Sequence, residues 1–324
     1  MTKRVVILVL CFFVALFSFP ILTACGKKEH LPAQLTHNHE HLNTDDVCDK
    51  CGWQVLLKTN DGEQVYLVKE GNVSAEYYCE TITKYSLANP LVSVYISNNV
   101  TCIGSSAFRG CFNLSSIIIP DSVTIIGQQS FYGCDGLTSI TIPNSVTTIE
   151  DNAFADCNNL TSITIPDSVT SIGNGAFYCC SELTNVYYMG TVSQWASIAG
   201  ISTIMNYKDS RTKSNKKIYI SNKCLSDIKE ITIENIQGIA SGAFYGCNNL
   251  KRVTISDSVE YIGSYAFYGC NGLTNVTFNM TSGWYCVNNY TDQITKFASN
   301  DLANKETAAK FLSSTYSSTI WNRT

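Results

Sequence analysis

The sequence predicts a leucine-rich-repeat solenoid: a right-handed stack of similar coils, with a parallel β-sheet on one face and irregular, 3₁₀ or short helical turns on the other. Two observations predict it. Apolar residues recur in a fixed frame with a period of 23 residues. A single coil cannot bury these residues alone, and stacking on neighbouring coils buries them. Cysteine marks this frame in two blocks, at Cys111, Cys134, Cys157 and Cys180, and at Cys247 and Cys270.

The strand of each coil follows the pattern L-x-x-I-x-I, which is the strand signature of a leucine-rich repeat. One copy runs from Leu137 to Ile142 and the next from Leu160 to Ile165. Alternation along I-x-I points two side chains inward and the one between them outward. A proline follows where its missing N–H ends the ladder at little cost. The pattern places repeats at 91–188 and 228–278.

The rest of the coil carries Ser-Val, Ile-Gly and Ala-Phe, as in Ile172-Gly173 and Ala176-Phe177. We expect the glycine to form a tight turn at positive φ. The Ala-Phe segment is too short for more than one or two helical or 3₁₀ turns.

The repeat cysteine is predicted to point into the core as a small buried hydrophobe. Disulfides between coils are the alternative, since export permits them. Parallel side chains one strand apart hold their Cβ atoms too far apart for the usual ~3.8 Å of a bridge. This distance favours free thiols.

The unit L-x-x-I-x-I-P-x-S-V-x-x-I-G-x-x-A-F-x-G-C resembles the repeat of the bacterial surface antigen A (BspA-like) leucine-rich-repeat proteins. The resemblance covers about half of the chain. It implies a surface protein, because members of that family are surface proteins and some act as adhesins for host or partner-cell proteins. The fold alone does not fix a function.

Residues 1–24 are predicted to be a lipoprotein signal peptide. Lys3 and Arg4 precede an almost wholly apolar run that ends in Leu22-Thr23-Ala24-Cys25, an order typical of a secretory signal. The ending resembles the bacterial lipobox, which implies that Cys25 becomes the lipidated first residue of an exported protein, anchored to the cell membrane on its extracellular face. An ordinary transmembrane anchor is the alternative.

Residues 25–52 form a linker that contains every histidine of the chain. Two cysteines and two histidines are a common tetrahedral ligand set for zinc. An oxidised C-x-x-C pair and a hydrophilic spacer between membrane and solenoid are the alternatives, and no other cofactor is predicted. The candidate zinc ligands are His37, His39, His41, Cys48 and Cys51.

Three non-repetitive segments complete the chain. Residues 53–90 and 279–324 are predicted to cap the two ends, as a solenoid requires. Residues 189–227 interrupt the repeats as an insert with a short helix, a polar basic loop and a small hairpin. Asn304 is the predicted N-cap of a helix in the C-terminal cap.

Charge is distributed unevenly. No lysine or arginine lies between Arg109 and Lys208, whereas seven acidic residues do. Five cations then fall within 208–217. A solvated loop is the ordinary interpretation, and a contact site for an acidic partner or the cell envelope is the alternative. The net charge of −4 does not suggest nucleic acid as a partner.

Two outward rows are candidate binding positions. The solvent side of the sheet includes Thr141, Thr164, Tyr187 and Arg252. Tyrosine, which is enriched at interfaces, recurs after the repeat phenylalanine. The alternative for these rings is packing between neighbouring coils. The row consists of Tyr132, Tyr178, Tyr245 and Tyr268.

The predicted function is non-catalytic adhesion to, or binding of, an extracellular protein or glycan by a lipid-anchored surface protein. A cysteine nucleophile needs a nearby base, and the repeats contain no histidine. One alternative is a zinc-binding surface lipoprotein that acts through its N-terminal segment. Another is a glycan-acting enzyme, which would need two acids flanking a cleft.

Overall fold

A computed structural model of the chain describes residues 55–59, 64–66, 91–96, 101–205, 216–288 and 293–324. It shows a parallel β-solenoid of about seven coils, which confirms the fold class. The predicted signal peptide lies outside the described residues, and so do Cys25 and the five candidate zinc ligands.

A ladder of longer strands runs along one side of the solenoid. Neighbouring strands are parallel and in frame, so that Ile163 lies opposite both Ile140 and Val186. We call the outward side of these strands the strand face. The strands are β3 (Leu91–Ile96), β5 (Ser116–Ile118), β7 (Ser139–Thr141), β9 (Ser162–Ile165), β11 (Asn185–Tyr188), β12 (Lys217–Ile220), β14 (Glu230–Ile233), β16 (Arg252–Ile255) and β18 (Asn275–Phe278).

A second, shorter ladder follows the Ser-Val positions, where the sequence predicted only turns. Each coil contributes two residues, of which the isoleucine is buried. The strands are β4 (Cys102–Ile103), β6 (Ile125–Ile126), β8 (Thr148–Ile149), β10 (Ser171–Ile172), β15 (Gly238–Ile239) and β17 (Tyr261–Ile262).

The glycine after this isoleucine is not at positive φ, so that prediction is wrong. A Cβ on Gly127 would lie 2.6 Å from the carbonyl oxygen of Ile103. The absence of a side chain lets the Gly127 N–H donate to that oxygen at 2.7 Å. Glycine is used here for close approach of two backbones.

Left-handed backbone occurs instead on the third side of the coil, among the turns around Ala-Phe. One position precedes Ala-Phe, as at Asn152, and the other lies two residues beyond the phenylalanine, as at Gly133. Glycine predominates at the second position, because it adopts positive φ without steric cost. Asp156 and Cys179 occupy that position in two coils.

The core is continuous along the stack. Repeat phenylalanines lie face to face, with ring centroids 5.1 to 5.6 Å apart between Phe108 and Phe177 and 5.2 Å apart between Phe244 and Phe267. Each coil thus buries the ring of the next.

The repeat cysteines are buried thiols. Cys157 Sγ lies 3.1 Å from the carbonyl oxygen of Phe131, one coil earlier. The thiol donates a hydrogen bond to this oxygen, and three other coils have the equivalent hydrogen bond. The sequence pattern did not indicate it. Burial raises the pKa of Cys134 and Cys157 well above the usual range and that of Cys180 to about 12.

The insert contributes to both ladders. Its helix α1 (Val192–Ser197) is capped by Thr191, whose hydroxyl accepts from Gln194 N, and α2 (Ser202–Met205) follows. Strand β12 then extends the long-strand ladder beside β11. It turns back at once into β13 (Lys223–Cys224), so it adds nothing to the short ladder.

Helix α1 fills that place in the short ladder. Next to it, Ala199 bridges to Ser171 of β10, and on its other side Ala196 O accepts from Ala240 N at 2.7 Å. An α-helix is about 10 Å wide, whereas strands are about 4.8 Å apart. One helix therefore spans the width of two coils, and the two repeat blocks stay in one stack.

Antiparallel strands occur at both ends of the solenoid. At the start, β1 (Val55–Thr59) pairs with β3 and with β2 (Gln64–Tyr66). At the other end, β21 (Ile320–Arg323) pairs with β17 and with β19 (Trp284–Val287), which pairs in turn with β20 (Ile294–Lys296).

Two helices accompany the C-terminal sheet. They are α3 (Ser299–Ala303) and α4 (Lys305–Lys310), and the Asn304 side chain accepts from Thr307 N at the start of α4. Ala308 and Leu312 are buried against the core. Together with the antiparallel strands they cover apolar surface that a further coil would otherwise bury.

Candidate functional site

Two classes of hydroxyl group recur along the solenoid. Those of the first class bind the preceding coil: Thr161 Oγ1 donates to Thr138 O at 3.0 Å, and Ser168 Oγ donates to Val146 O at 2.7 Å. A second threonine row repeats the arrangement, with Thr147 donating to Thr124 O. These hydroxyls stabilise the stack and have no donor hydrogen left for a ligand.

The second class lies on the strand face and has no hydrogen-bond partner among the described residues. Its side chains alternate with buried ones along each strand, as in Ser139-Ile140-Thr141, where only the isoleucine is buried. Each side chain has donor and acceptor capacity left for solvent or a ligand. In the first block these residues are Ser116, Ser139, Thr141, Ser162 and Thr164.

Apolar and aromatic side chains border these hydroxyls. Ile118, in the row of Thr141 and Thr164, is 59% exposed. In the same row Tyr187 is 38% exposed and stacks on Tyr219, with ring centroids 5.0 Å apart. The repeat frame indicated Tyr187 as a binding position but not its partner, because Tyr219 lies in the insert and outside that frame.

Arg252, the other strand-face candidate, is engaged with a neighbour. It lies opposite Glu230 on the adjacent strand, and the two side chains form an ion pair. Both are more than half exposed, so the pair contributes little to stability.

The tyrosine row makes contacts between coils. Arg109 lies over the ring of Tyr132, 5.0 Å from its centroid, and Asp156 hydrogen-bonds the Tyr132 hydroxyl and raises its pKa. Tyr245 and Tyr268 pack with centroids 5.3 Å apart. Tyr178, in the same row, is half-buried. These contacts favour the packing interpretation for the row.

Several carboxylates of the first block accept hydrogen bonds from backbone N–H groups of adjacent coils. Asp135 accepts from Asn158 N at 3.0 Å, and Glu150 accepts from Gln128 N at 2.8 Å. Asp151 accepts from Asn174 N at 2.6 Å. The regular spacing of these acids is thus explained by their hydrogen bonds between stacked coils, and a shared cleft is not needed to explain it.

Metal and membrane features are absent from the part of the chain that the structure describes. No three His, Cys, Asp or Glu side chains come together there as a metal site would require. Every helix there is too short or too polar to cross a membrane. The candidate zinc site and the candidate lipid anchor remain predictions.

Comparison with known proteins identifies the repeat. A family model described as the BspA type leucine rich repeat region matches residues 80–199 and 210–313, in six copies. No curated protein matches.

Solved structures of bacterial leucine-rich repeat proteins are also similar. A T. pallidum protein is 24% identical over 64% of this chain and 72% of its own, with a TM-score of 0.34. A Bacteroides ovatus protein is 26% identical over 69% and 62%, with a TM-score of 0.34. A leucine rich cell surface protein from Faecalibacterium prausnitzii is 25% identical over 59% and 61%, with a TM-score of 0.26. The family model, which matches more than half of the chain, carries the assignment.

Proposed function

Since the chain belongs to the BspA type leucine-rich repeat family, we propose that it is a non-catalytic binding protein of the cell surface and that the strand face is its ligand surface. Its partner is an extracellular protein or glycan, and its role is adhesion. Members of a repeat family commonly use the extended face of the solenoid for binding.

One observation carries this proposal: hydroxyl groups on the strand face have no hydrogen-bond partner among the described residues, whereas hydroxyl groups on other sides of the coil bond to the preceding coil. Ser139, Thr141 and Thr164 keep free hydroxyls, whereas Thr161 and Ser168 donate to the preceding coil. Exposed Ile118 and Tyr187 add apolar contact area to the same surface. A combination of adaptable polar groups and rigid aromatic anchors is typical of binding surfaces.

A non-catalytic role agrees with the way the acidic and thiol groups are used. Asp135, Glu150 and Asp151 bind backbone N–H groups of neighbouring coils. Burial raises the pKa of the Cys134, Cys157 and Cys180 thiols, so they are poor nucleophiles. We further propose that Cys25 carries the lipid that anchors the protein outside the cell.

The test is binding of the purified full chain to a panel of immobilised extracellular proteins and polysaccharides. The strand-face variant is Thr141→Met/Thr164→Met, which removes two of these hydroxyls and places longer, uncharged side chains there without touching the core. We expect it to lose binding to every panel member that the unmodified chain retains.

The matched control is Gln128→Met/Asn174→Met, which adds the same side chains at exposed positions on other sides of the coil. We expect this control to bind like the unmodified chain. An equal loss in both variants, or retained binding by the strand-face variant, would contradict the proposal.

A further inference from the structure

Exposed cations gather at the edge of the strand face where the second repeat block begins. Lys217 opens β12, Lys229 and Lys251 immediately precede β14 and β16, and Arg252 is the first residue of β16. All four side chains are exposed. We call these four residues the basic band.

Charge within the band is not balanced by neighbouring acids. Glu230 is already paired with Arg252. Lys217, Lys229 and Lys251 have no ion-pair partner in the described ranges. Lys251 N donates to Lys229 O at 2.7 Å, which places the two lysines at the same position of adjacent coils. Like charges on neighbouring strands, about 4.8 Å apart, repel each other.

Stacking of coils does not account for these lysines. At the equivalent position the first block has Thr138, Thr161 and Thr184, and Thr184 Oγ1 donates to Thr161 O at 3.3 Å. A lysine gives up this hydrogen bond and adds repulsion. Lys229 and Lys251 are therefore less favourable for the fold than threonine would be, and a bound anion would remove the repulsion.

The basic band adjoins the stacked tyrosines. Lys217 and Tyr219 are two residues apart on β12, so both point outward, and Tyr219 stacks on Tyr187 of β11. Thr164 of β9 lies next to Tyr187 in the same row. Free hydroxyls, an aromatic pair and Lys217 thus follow one another on adjacent strands, and Lys229 and Lys251 lie where the second block begins.

We propose that this surface binds an anionic polysaccharide, a chain of sugar rings that carry carboxylate or sulfate groups, lying along the solenoid axis. The proposal rests on the proposed function of the strand face and specifies its ligand. The ammonium groups of the band pair with the acidic groups. The tyrosine rings pack against the apolar faces of the sugars, and the free hydroxyls bond to sugar hydroxyls.

An acidic peptide fits this surface less well. Extended peptides gain most of their affinity from main-chain hydrogen bonds at the edge of a sheet. The strand face offers side chains only, because the backbone groups of neighbouring strands bond to each other within each ladder. Sugar rings supply a hydroxyl at almost every position and so match the free hydroxyls.

The experiment measures affinity of the full chain for dextran sulfate and polygalacturonate, with uncharged dextran and poly-glutamate as comparisons. The test variant Lys229→Thr/Lys251→Thr installs the residue of the other coils, so it is expected to fold at least as well. We expect it to lose affinity for both acidic polysaccharides about tenfold or more. Added salt should weaken binding of the unmodified chain.

The matched control Lys296→Thr/Lys305→Gln removes two exposed cations from the C-terminal cap and should keep full affinity. Equal losses in both variants would mean attraction by net charge alone and would overturn the proposal. Binding of poly-glutamate as tight as that of the polysaccharides would overturn it in favour of an acidic peptide.

A third variant, Tyr187→Thr/Tyr219→Thr, separates this proposal from the function it rests on. If it loses binding to the panel of proteins and polysaccharides while Lys229→Thr/Lys251→Thr binds normally, the strand face is the ligand surface but the anionic class is wrong. If all strand-face variants bind normally, both proposals fail.

Discussion

The repeat cysteine is a packing residue with a hydrogen bond. Its sulfur fills the core beside the phenylalanine stack, and in four coils it contacts a phenylalanine carbonyl oxygen one coil away. Free cysteine is among the most often buried residue types. Burial and this hydrogen bond therefore explain why cysteine recurs at a fixed position of the coil, and a catalytic or metal-binding role is not needed to explain it.

Because these thiols are buried, the free energy of unfolding depends on pH in the alkaline range. Burial raises the pKa of Cys134 and Cys157 in the folded state. Their contribution is fully present below the unfolded-state pKa of about 8.5 and is lost as pH rises toward the folded-state pKa. We expect the free energy of unfolding in urea to fall between about pH 9 and 11.

The double variant Cys134→Ala/Cys157→Ala provides the comparison. It lacks two of the titrating groups, so its free energy of unfolding should fall less steeply over the same pH range, although its stability at pH 7 is lower because of the cavities it creates. A pH dependence equal to that of the unmodified chain would contradict a role for these thiols.

At the scale of elements, helix α1 is the joint between the two repeat blocks. Its Trp195 is fully buried, and the indole N–H donates to Ala243 O at 3.0 Å. In regular coils the equivalent carbonyl accepts from a phenylalanine N–H of the preceding coil, as Ala266 O accepts from Phe244 N. The indole thus replaces a backbone donor that the insert cannot supply.

Removal of that donor should weaken the joint. We expect Trp195→Phe to lower the free energy of unfolding by about 1–3 kcal/mol, because Ala243 O remains buried without its partner. Hydrogen exchange measured by mass spectrometry should show faster exchange near the joint than in the centre of the first block.

Trp284→Phe is the control, since the Trp284 indole donates to Met280 O within the C-terminal cap. It loses a comparable hydrogen bond, and the effect on exchange should be confined to the cap. If the two variants change exchange in the same places, Trp195 has no special role at the joint.

At the scale of the whole molecule, both ends of the solenoid are covered by antiparallel pairing. Strand β21 pairs with β17, the last strand of the short ladder, and Trp321 of β21 is buried. An uncovered edge would offer unpaired backbone groups to a second molecule. The cap is therefore expected to keep the stack from growing by association.

A chain that ends at Ser318 tests this role. We expect it to associate in a concentration-dependent way, measured by light scattering, because the edge of β17 is then open. The control Ile320→Lys retains β21 and changes one exposed side chain. It should scatter light like the unmodified chain, and a truncated chain that stays monomeric at high concentration would contradict the expectation.

The sequence by itself determined the coil. A period of 23 and the alternation L-x-x-I-x-I decide which side chains are buried, and the buried set from Leu137 to Cys157 follows that frame. This succeeds because inward and outward orientation within a strand depends on local alternation alone. The capping residues Asn304 and Thr191 act over only three residues, and the sequence indicated Asn304 but not Thr191.

Only the tertiary structure decided what each side chain meets one coil away. The free hydroxyl of Thr164 and the bonded hydroxyl of Thr161 belong to the same residue type, three positions apart, and differ in their contact with the neighbouring coil. The Tyr187–Tyr219 stack and the basic band depend on how the insert places β12 beside β11. An insert breaks the period, so register across it follows from packing of a helix against strands, and spacing in the sequence does not encode that distance.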